Sequence, residues 1–149
     1  MPVLVSAAGD RASVRFLEFF AAQIRNPHTR RAYARAVGEF LGWCESVGVT
    51  SLPGVQPLHV ASWIELEARQ VSAPSVKQRL AALRHLFDWL VIGQVVRANP
   101  AASVRGPRHV VRSGKTSVLE PVEAHRLLAT LQHGQTQTVR AFLKQCVLP

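Results

Sequence analysis

Apolar residues return every three or four positions over much of this chain, and four stretches keep that spacing long enough to predict amphipathic helices. The first is expected from about Ala12 to Ile24, with Val14, Leu17, Phe20 and Ile24 inward and Asp10 or Ser13 as its cap. Residues 1–11 ahead of it read as a flexible leader. The second helix opens on Asn26, a good cap, and Pro27, whose missing N–H costs nothing in a first turn. It runs to about Val47, where Gly48 stops it. Tyr33, Ala36, Val37, Phe40, Cys44 and Val47 share its apolar face, and Arg31, Arg35, Gly38 and Gly42 fall opposite.

A Pro- and Gly-containing loop from Ser51 to Pro57 precedes a third helix, about Leu58 to Gln70, with Val60, Trp63 and Ile64 inward. Pro74 opens a fourth, which runs to about Ile92 and ends at Gly93. Its buried stripe is Val76, Leu80, Leu83, Phe87, Leu90 and Val91, while Lys77, Gln78, Ala81, Arg84 and His85 lie on the other side. Asn99-Pro100 breaks the pattern. Ser103 to Lys115 has no helical period and reads as a basic linker. A further helix is expected over Glu120 to Leu131, with Leu127, Leu128 and Leu131 on its apolar side, and Val139 to Leu148 is a last short apolar segment. The predicted class is all-α: a four-helix domain over 12–102, a linker over 103–117, and the start of something larger over 118–149.

Charge sharpens this picture. The 149 residues carry 18 Lys and Arg against 9 Asp and Glu, a formal net charge of +9, unevenly spread. Residues 25–47 and 71–98 are rich in cations, 48–70 is slightly acidic, and 99–117 holds Arg105, Arg108, Arg112 and Lys115 with no acid. Cations gathered on particular elements mark a polyanion binder. A coding bias toward arginine would raise the same total, so charge alone leaves both explanations open.

Cys44 and Cys146 are far apart, without paired spacing, and Cys44 falls on an apolar face where a free thiol acts as a small hydrophobe. Together with the absence of a basic leader at the start, this predicts a reduced, cytoplasmic setting. The longest apolar stretch, Leu86 to Val96, is interrupted by Asp88, Gly93 and Gln94 and is too short for a bilayer. His28, His59, His109, His125 and His133 are scattered, and no nucleophile elbow frames a serine. No catalytic residue, metal, cofactor, small-molecule substrate or membrane is therefore expected. Arg31 with Arg35, one turn apart beside glycines, and Lys77, Gln78, Arg84 and His85 form two candidate surfaces for nucleic acid. Thr29 serves as a cap or a phosphate contact, and Arg79, at the edge of the stripe, suits an ion pair or a backbone contact. Tyr33, Phe40, Trp63, Phe87 and Trp89 read as core or partner contacts.

Four segments in order resemble the core-binding, SAM-like domain of Xer-type and phage-integrase tyrosine recombinases. Asn26-Pro27-His28-Thr29-Arg30-Arg31-Ala32-Tyr33 is similar to that family's S-x-x-T-x-x-x-Y helix opening. Ser75 to Arg84 resembles its S-x-x-T-x-x-R-x-L-x-A-L-R helix. Asn99-Pro100-Ala101, followed by Val104, resembles the N-P-A-x-x-V turn that closes the domain, and Leu119 to Leu128 resembles the helix that opens the catalytic domain. The resemblance implies a half-clamp on double-stranded DNA, with two helices in the major groove and the linker spanning the duplex. The DNA-binding residues it suggests are Thr29, Arg30, Arg31, Arg35, Ser75, Lys77, Gln78, Arg84, His85, Arg105, Arg108, Arg112 and Lys115. A full-length recombinase, or other protomers on the same DNA, are the protein partners it suggests.

The family's catalytic centre has no counterpart in this sequence. Its first arginine belongs to a T-G-x-R-x-x-E motif a little beyond the position of Arg140, and that motif is missing. The only tyrosine is Tyr33, on an apolar face. A chain cut off before the catalytic centre, unable to cleave DNA alone, is the expectation. Two rivals stay open: a stand-alone helical DNA-binding regulator of helix-turn-helix type, and a helical protein-interaction module whose charge is incidental.

Overall fold

The computed structural model describes residues 1–110 and the helix around 120–132, which fall in two compact units, Met1–His109 and Val110–Pro149. The described residues are all-α and contain no strand.

The opening residues, expected as a flexible leader, form a short helix α1 (Val3–Ala7) whose Leu4 and Val5 are fully buried. Five residues are too few for a period to show in sequence, so only tertiary packing reveals this element. Gly9, at φ 94°, turns the chain into α2 (Asp10–Glu18), which runs on through a π-helical turn, Phe19–Gln23. The inward face of α2 differs from the expected one: Ala12, Phe16 and Phe19 are buried, whereas Val14 and Leu17 are 53% and 57% exposed. This helix is apolar on two sides, and burying phenyl rings removes more apolar surface from water than burying Val and Leu. The wider turn gathers the rings, with Phe20 5.2 Å from Phe16 and 5.0 Å from Phe19, centroid to centroid.

Helix α3 (Pro27–Ser46) starts as its sequence predicts. Asn26 Oδ1 accepts from the amides of His28, at 2.8 Å, and Thr29, at 3.5 Å, and Pro27 occupies the first turn. It stops at Gly48, φ 92°, with the Val49 amide donating to the Cys44 carbonyl and the Gly48 amide to that of Glu45. Ala36, Val37, Phe40, Leu41 and Cys44 face the core, while Val47, at the last turn, is half exposed. Burial pushes the Cys44 thiol up to about 12, helped by the nearby Glu45 carboxylate, so it packs as a neutral hydrophobe.

Helix α4 (Pro57–Gln70) is capped reciprocally, the Gln56 amide donating to His59 Nδ1 at 2.9 Å. Helix α5 (Ala73–Ile92) buries the expected stripe except for Val91, which is half-buried, and adds Ala82 and Leu86. It halts at Gly93, but Gln94 rather than the glycine takes the left-handed conformation, at φ 57°. Phe40 sits at the centre of the core, its ring 5.3 Å from Trp63 and 6.4 Å from Phe87. Trp89 Nε1 donates to the Arg15 carbonyl at 2.9 Å and fastens α2 to α5.

In the second unit, α6 (Pro121–Gln132) begins where expected, with Glu123 accepting from the Glu120 amide at 3.1 Å. Val139 to Leu148 lies outside the described residues.

Candidate nucleic-acid interface

Helices α3 and α5 make the largest helix–helix contact of the first unit and run antiparallel. The Tyr33 and His85 rings lie 5.8 Å apart at one end of the contact, and Glu39 meets Arg79 at the other. Away from the core, α3 presents Arg31, Arg35, Gly38 and Gly42, all exposed. Nothing lies within 4 Å of where a Cβ would stand on either glycine, so that ridge is open to a ligand backbone. On α5 the outward strip of Lys77, Gln78, Ala81 and His85 spans an arc of about 100° by helical geometry.

Several of the predicted site residues have other occupations. The Arg30 guanidinium donates to the Ile24 carbonyl through Nε, at 3.1 Å, and Nη2, at 2.7 Å, tying the π-helical turn to α3. Arg84, expected on the open side of α5, donates to the carbonyls of Ala101, at 3.2 Å, and Val104. Both are among the DNA-binding residues that the resemblance suggests, and here the charge of each is turned onto carbonyls of its own domain. Ser75 shares a hydrogen bond with Ser72, Oγ to Oγ at 3.0 Å. Thr29 is half-buried with its amide capped by Asn26. Arg35 is exposed but paired with Glu39 at 2.8 Å. Arg31, Lys77, Gln78, His85, Arg105 and Arg108 keep their heads exposed, and Arg31, Lys77, Arg105 and Arg108 have no carboxylate partner among the described residues. Arg112 and Lys115 lie outside the described residues.

The start of the basic segment lies against α5. Asn99 Nδ2 donates to the Arg84 carbonyl and to Asp88, and Asn99 Oδ1 accepts from the Ala101 amide. Ala101 and Val104 are buried, and a Cβ on Gly106 would stand 3.4 Å from Leu80 Cδ2 and 3.7 Å from Lys77 Cγ. Arg105 thus lies close to Lys77 along the chain that flanks α5.

Beneath the face Arg79 forms the ion pair expected of it, within a charge network whose other members the sequence did not name. Arg79 bonds Glu67 of α4 at 2.6 Å and Glu39 of α3, and Glu39 also takes Arg35. Glu67 is the one buried charged residue among those described. Only the edge position of Arg79 hinted at it. Arg25, exposed and just ahead of the Asn26 cap, has no carboxylate partner among the described residues either, and the helical pattern did not single it out. Among the described residues no three His, Cys, Asp or Glu side chains converge.

The hydrogen bond from Arg35 holds the Glu39 carboxyl below the usual carboxylate range, with Arg79 adding to it and partial burial opposing. A carboxyl lowered on folding contributes stability that is present above its unfolded pKa and is lost as pH falls through the folded one. Unfolding by urea should therefore show the wild type losing stability more steeply than Glu39→Gln as pH drops from about 5 to about 3. The difference is small, because Glu39 and Arg35 side chains are 37% and 76% exposed and solvent screens the pair. Parallel profiles would show that the pair exerts no hold on Glu39 in solution.

Residues 14–93 match the family model of the phage integrase N-terminal SAM-like domain. The tyrosine recombinase XerC of Xanthomonas campestris pv. campestris (strain B100) is 26% identical over 133 residues, covering 85% of this chain and 41% of the relative. XerC of Xylella fastidiosa (strain M23) is 32% identical over 82 residues, covering 54% and 28% respectively. XerC of Serratia marcescens is 31% identical over 84 residues, covering 56% and 28%. The chain thus spans about two-fifths or less of the length of these curated relatives. No solved structure matches it.

Proposed function

Since the chain belongs to the family of phage integrase N-terminal SAM-like domains, we propose that it grips duplex DNA as the core-binding part of a tyrosine-recombinase system. The contact surface is the outward side of α3 and α5 together with Arg105 and Arg108, and Arg112 and Lys115 follow in the sequence as further candidate cations. The observation that carries this is the set of exposed cations without carboxylate partners among the described residues, Arg31, Lys77, Arg105 and Arg108, on α3, on α5 and on the segment that lies against α5. Acids near the face are already engaged, Glu39 by Arg35 and Arg79 and Asp88 by Asn99. Most of these cations would touch phosphates, the commoner kind of contact, and the exposed Gln78 amide would meet a base edge.

Strand cleavage is not assigned to this chain. Its sole tyrosine, Tyr33, is half-buried against the core and the His85 ring. Other protomers, or a full-length recombinase on the same DNA, would supply the chemistry. A helix-turn-helix reading is disfavoured by the 14- and 20-residue lengths of α4 and α5, the nearest pair joined by a tight turn.

The test is binding of this chain to duplex DNA across a salt series. If Arg31, Lys77, Arg105 and Arg108 each neutralise one phosphate, the slope of log K against log salt is about −3 to −4. Absence of binding at low salt by a folded sample, or binding with a flat slope, would overturn the assignment.

A further inference from the structure

We propose that Arg84, together with Asn99, is a positioning residue for the basic segment: it clasps residues 99–106 along α5 so that Arg105 and Arg108 face the same duplex as Lys77. The proposal rests on the DNA-binding function above and assigns Arg84 an indirect part in it.

The clasp is built from both partners. Arg84 Nε and Nη2, one planar edge of the guanidinium, reach two carbonyls three residues apart, those of Ala101 and Val104. The planar fork holds both through two N–H vectors of fixed direction, a pre-organisation that a lysine ammonium on a flexible stem lacks. Asn99 closes the other side. Its amide nitrogen donates to the Arg84 carbonyl at 2.9 Å and to Asp88 at 2.8 Å, while its oxygen accepts from the Ala101 amide at 2.8 Å. Main chain and side chain of Arg84 are therefore both engaged by one turn of the segment.

The consequence is a register. With Ala101 and Val104 buried and Gly106 lying over Leu80 and the Lys77 stem, the chain is tied at 99, 101 and 104 and pressed against α5 at 106. Arg105 sits between two of these points with its own side chain exposed. A tethered cation loses less freedom on meeting a phosphate than one on a free linker, so the clasp raises affinity without touching DNA.

The experiment compares wild type, Arg84→Gln, Asn99→Ala and Arg105→Ala/Arg108→Ala, with and without DNA. Without DNA, limited trypsin digestion followed by mass analysis reads cleavage after Arg105. Release of the clasp should raise that rate about tenfold or more in Arg84→Gln and in Asn99→Ala, relative to cleavage after Arg79 inside the core, because proteases need a locally freed chain. An equal rise at both sites would mean global destabilisation and overturn the clasp. With DNA, Arg84→Gln should flatten the salt slope by up to about 2, as far as Arg105→Ala/Arg108→Ala does, and combining the three changes should flatten it little further. A full extra loss of about 1 in the combined variant would show Arg84 touching a phosphate itself and overturn the indirect role. If the wild type fails to bind DNA, the functional assignment falls and the digestion result still decides whether the clasp exists.

Discussion

Reversing charge at both helices of the face, Arg31→Glu with Lys77→Glu, is expected to weaken duplex binding at low salt by about 100-fold, roughly tenfold for each position, and to reduce the salt slope by about 2. Each substitution removes one phosphate contact and places a carboxylate against the polyanion. Neither residue bonds another part of the described domain, so stability should stay within about 0.5 kcal/mol of wild type and the loss is a binding effect. The comparison that isolates the face is Arg69→Glu, the same charge change as either single reversal, near the end of α4 on an exposed residue outside the proposed surface. Arg69→Glu lowers affinity only through net charge. Glu39→Gln should move binding the other way, since it frees the exposed Arg35 from its partner and removes an acid from beside the ridge. A loss from Arg69→Glu as large as that from Arg31→Glu or Lys77→Glu alone would mean that DNA reads overall charge and not the α3–α5 face.

The parts of this surface legible in the sequence are those set by local chemistry. Asn26-Pro27 and Pro74 fix where α3 and α5 begin, Gly48 ends α3, and the period of apolar residues turns Arg31, Lys77, Gln78 and His85 outward. What stayed hidden depends on partners outside the helix that carries each residue. Arg30 and Arg84 look like Arg31 in any pattern of charge and spacing, yet their guanidinium groups meet the carbonyls of Ile24 and of Ala101 and Val104. Periodicity cannot see a carbonyl. The face of α2 was misassigned for a related reason: Val14 and Leu17 lie on one apolar side, Phe16 and Phe19 on another, and only the neighbouring helices decide which side is covered. The turn at Asn99-Pro100-Ala101 was recognisable by resemblance, and its physical content, the clasp on α5, appears only in three dimensions.

Arg79→Met is expected to destabilise the first unit by about 3–5 kcal/mol, because it strands a buried carboxylate. The Glu67 side chain is 11% exposed and its Oε2 meets Arg79 Nη1 at 2.6 Å, its ion-pair partner among the described residues. Arg79 is itself only 18% exposed, and its guanidinium lies 6.0 Å from the Trp63 ring centroid. A methionine fills much the same volume, so lost packing is a minor part of the change. Domains of this kind are stable by about 5–15 kcal/mol in total, so the loss should be visible as a large fall in the urea midpoint. The pairing itself is a weaker source of net stability than this number suggests, since both charges had to leave water. Replacing both groups, Arg79→Met with Glu67→Leu, should therefore recover most of the loss. Its residual cost reports the Glu39 and Trp63 contacts that Arg79 also makes. A single Arg79→Met variant less than about 1 kcal/mol below wild type would show that Glu67 reaches solvent when its partner leaves. The recovered double variant also separates folding from recognition. It restores the α3–α4–α5 packing while leaving Arg31, Lys77, Arg105 and Arg108 untouched, so it should bind duplex DNA with the salt slope of the wild type if Arg79 serves the fold and those four cations serve the DNA.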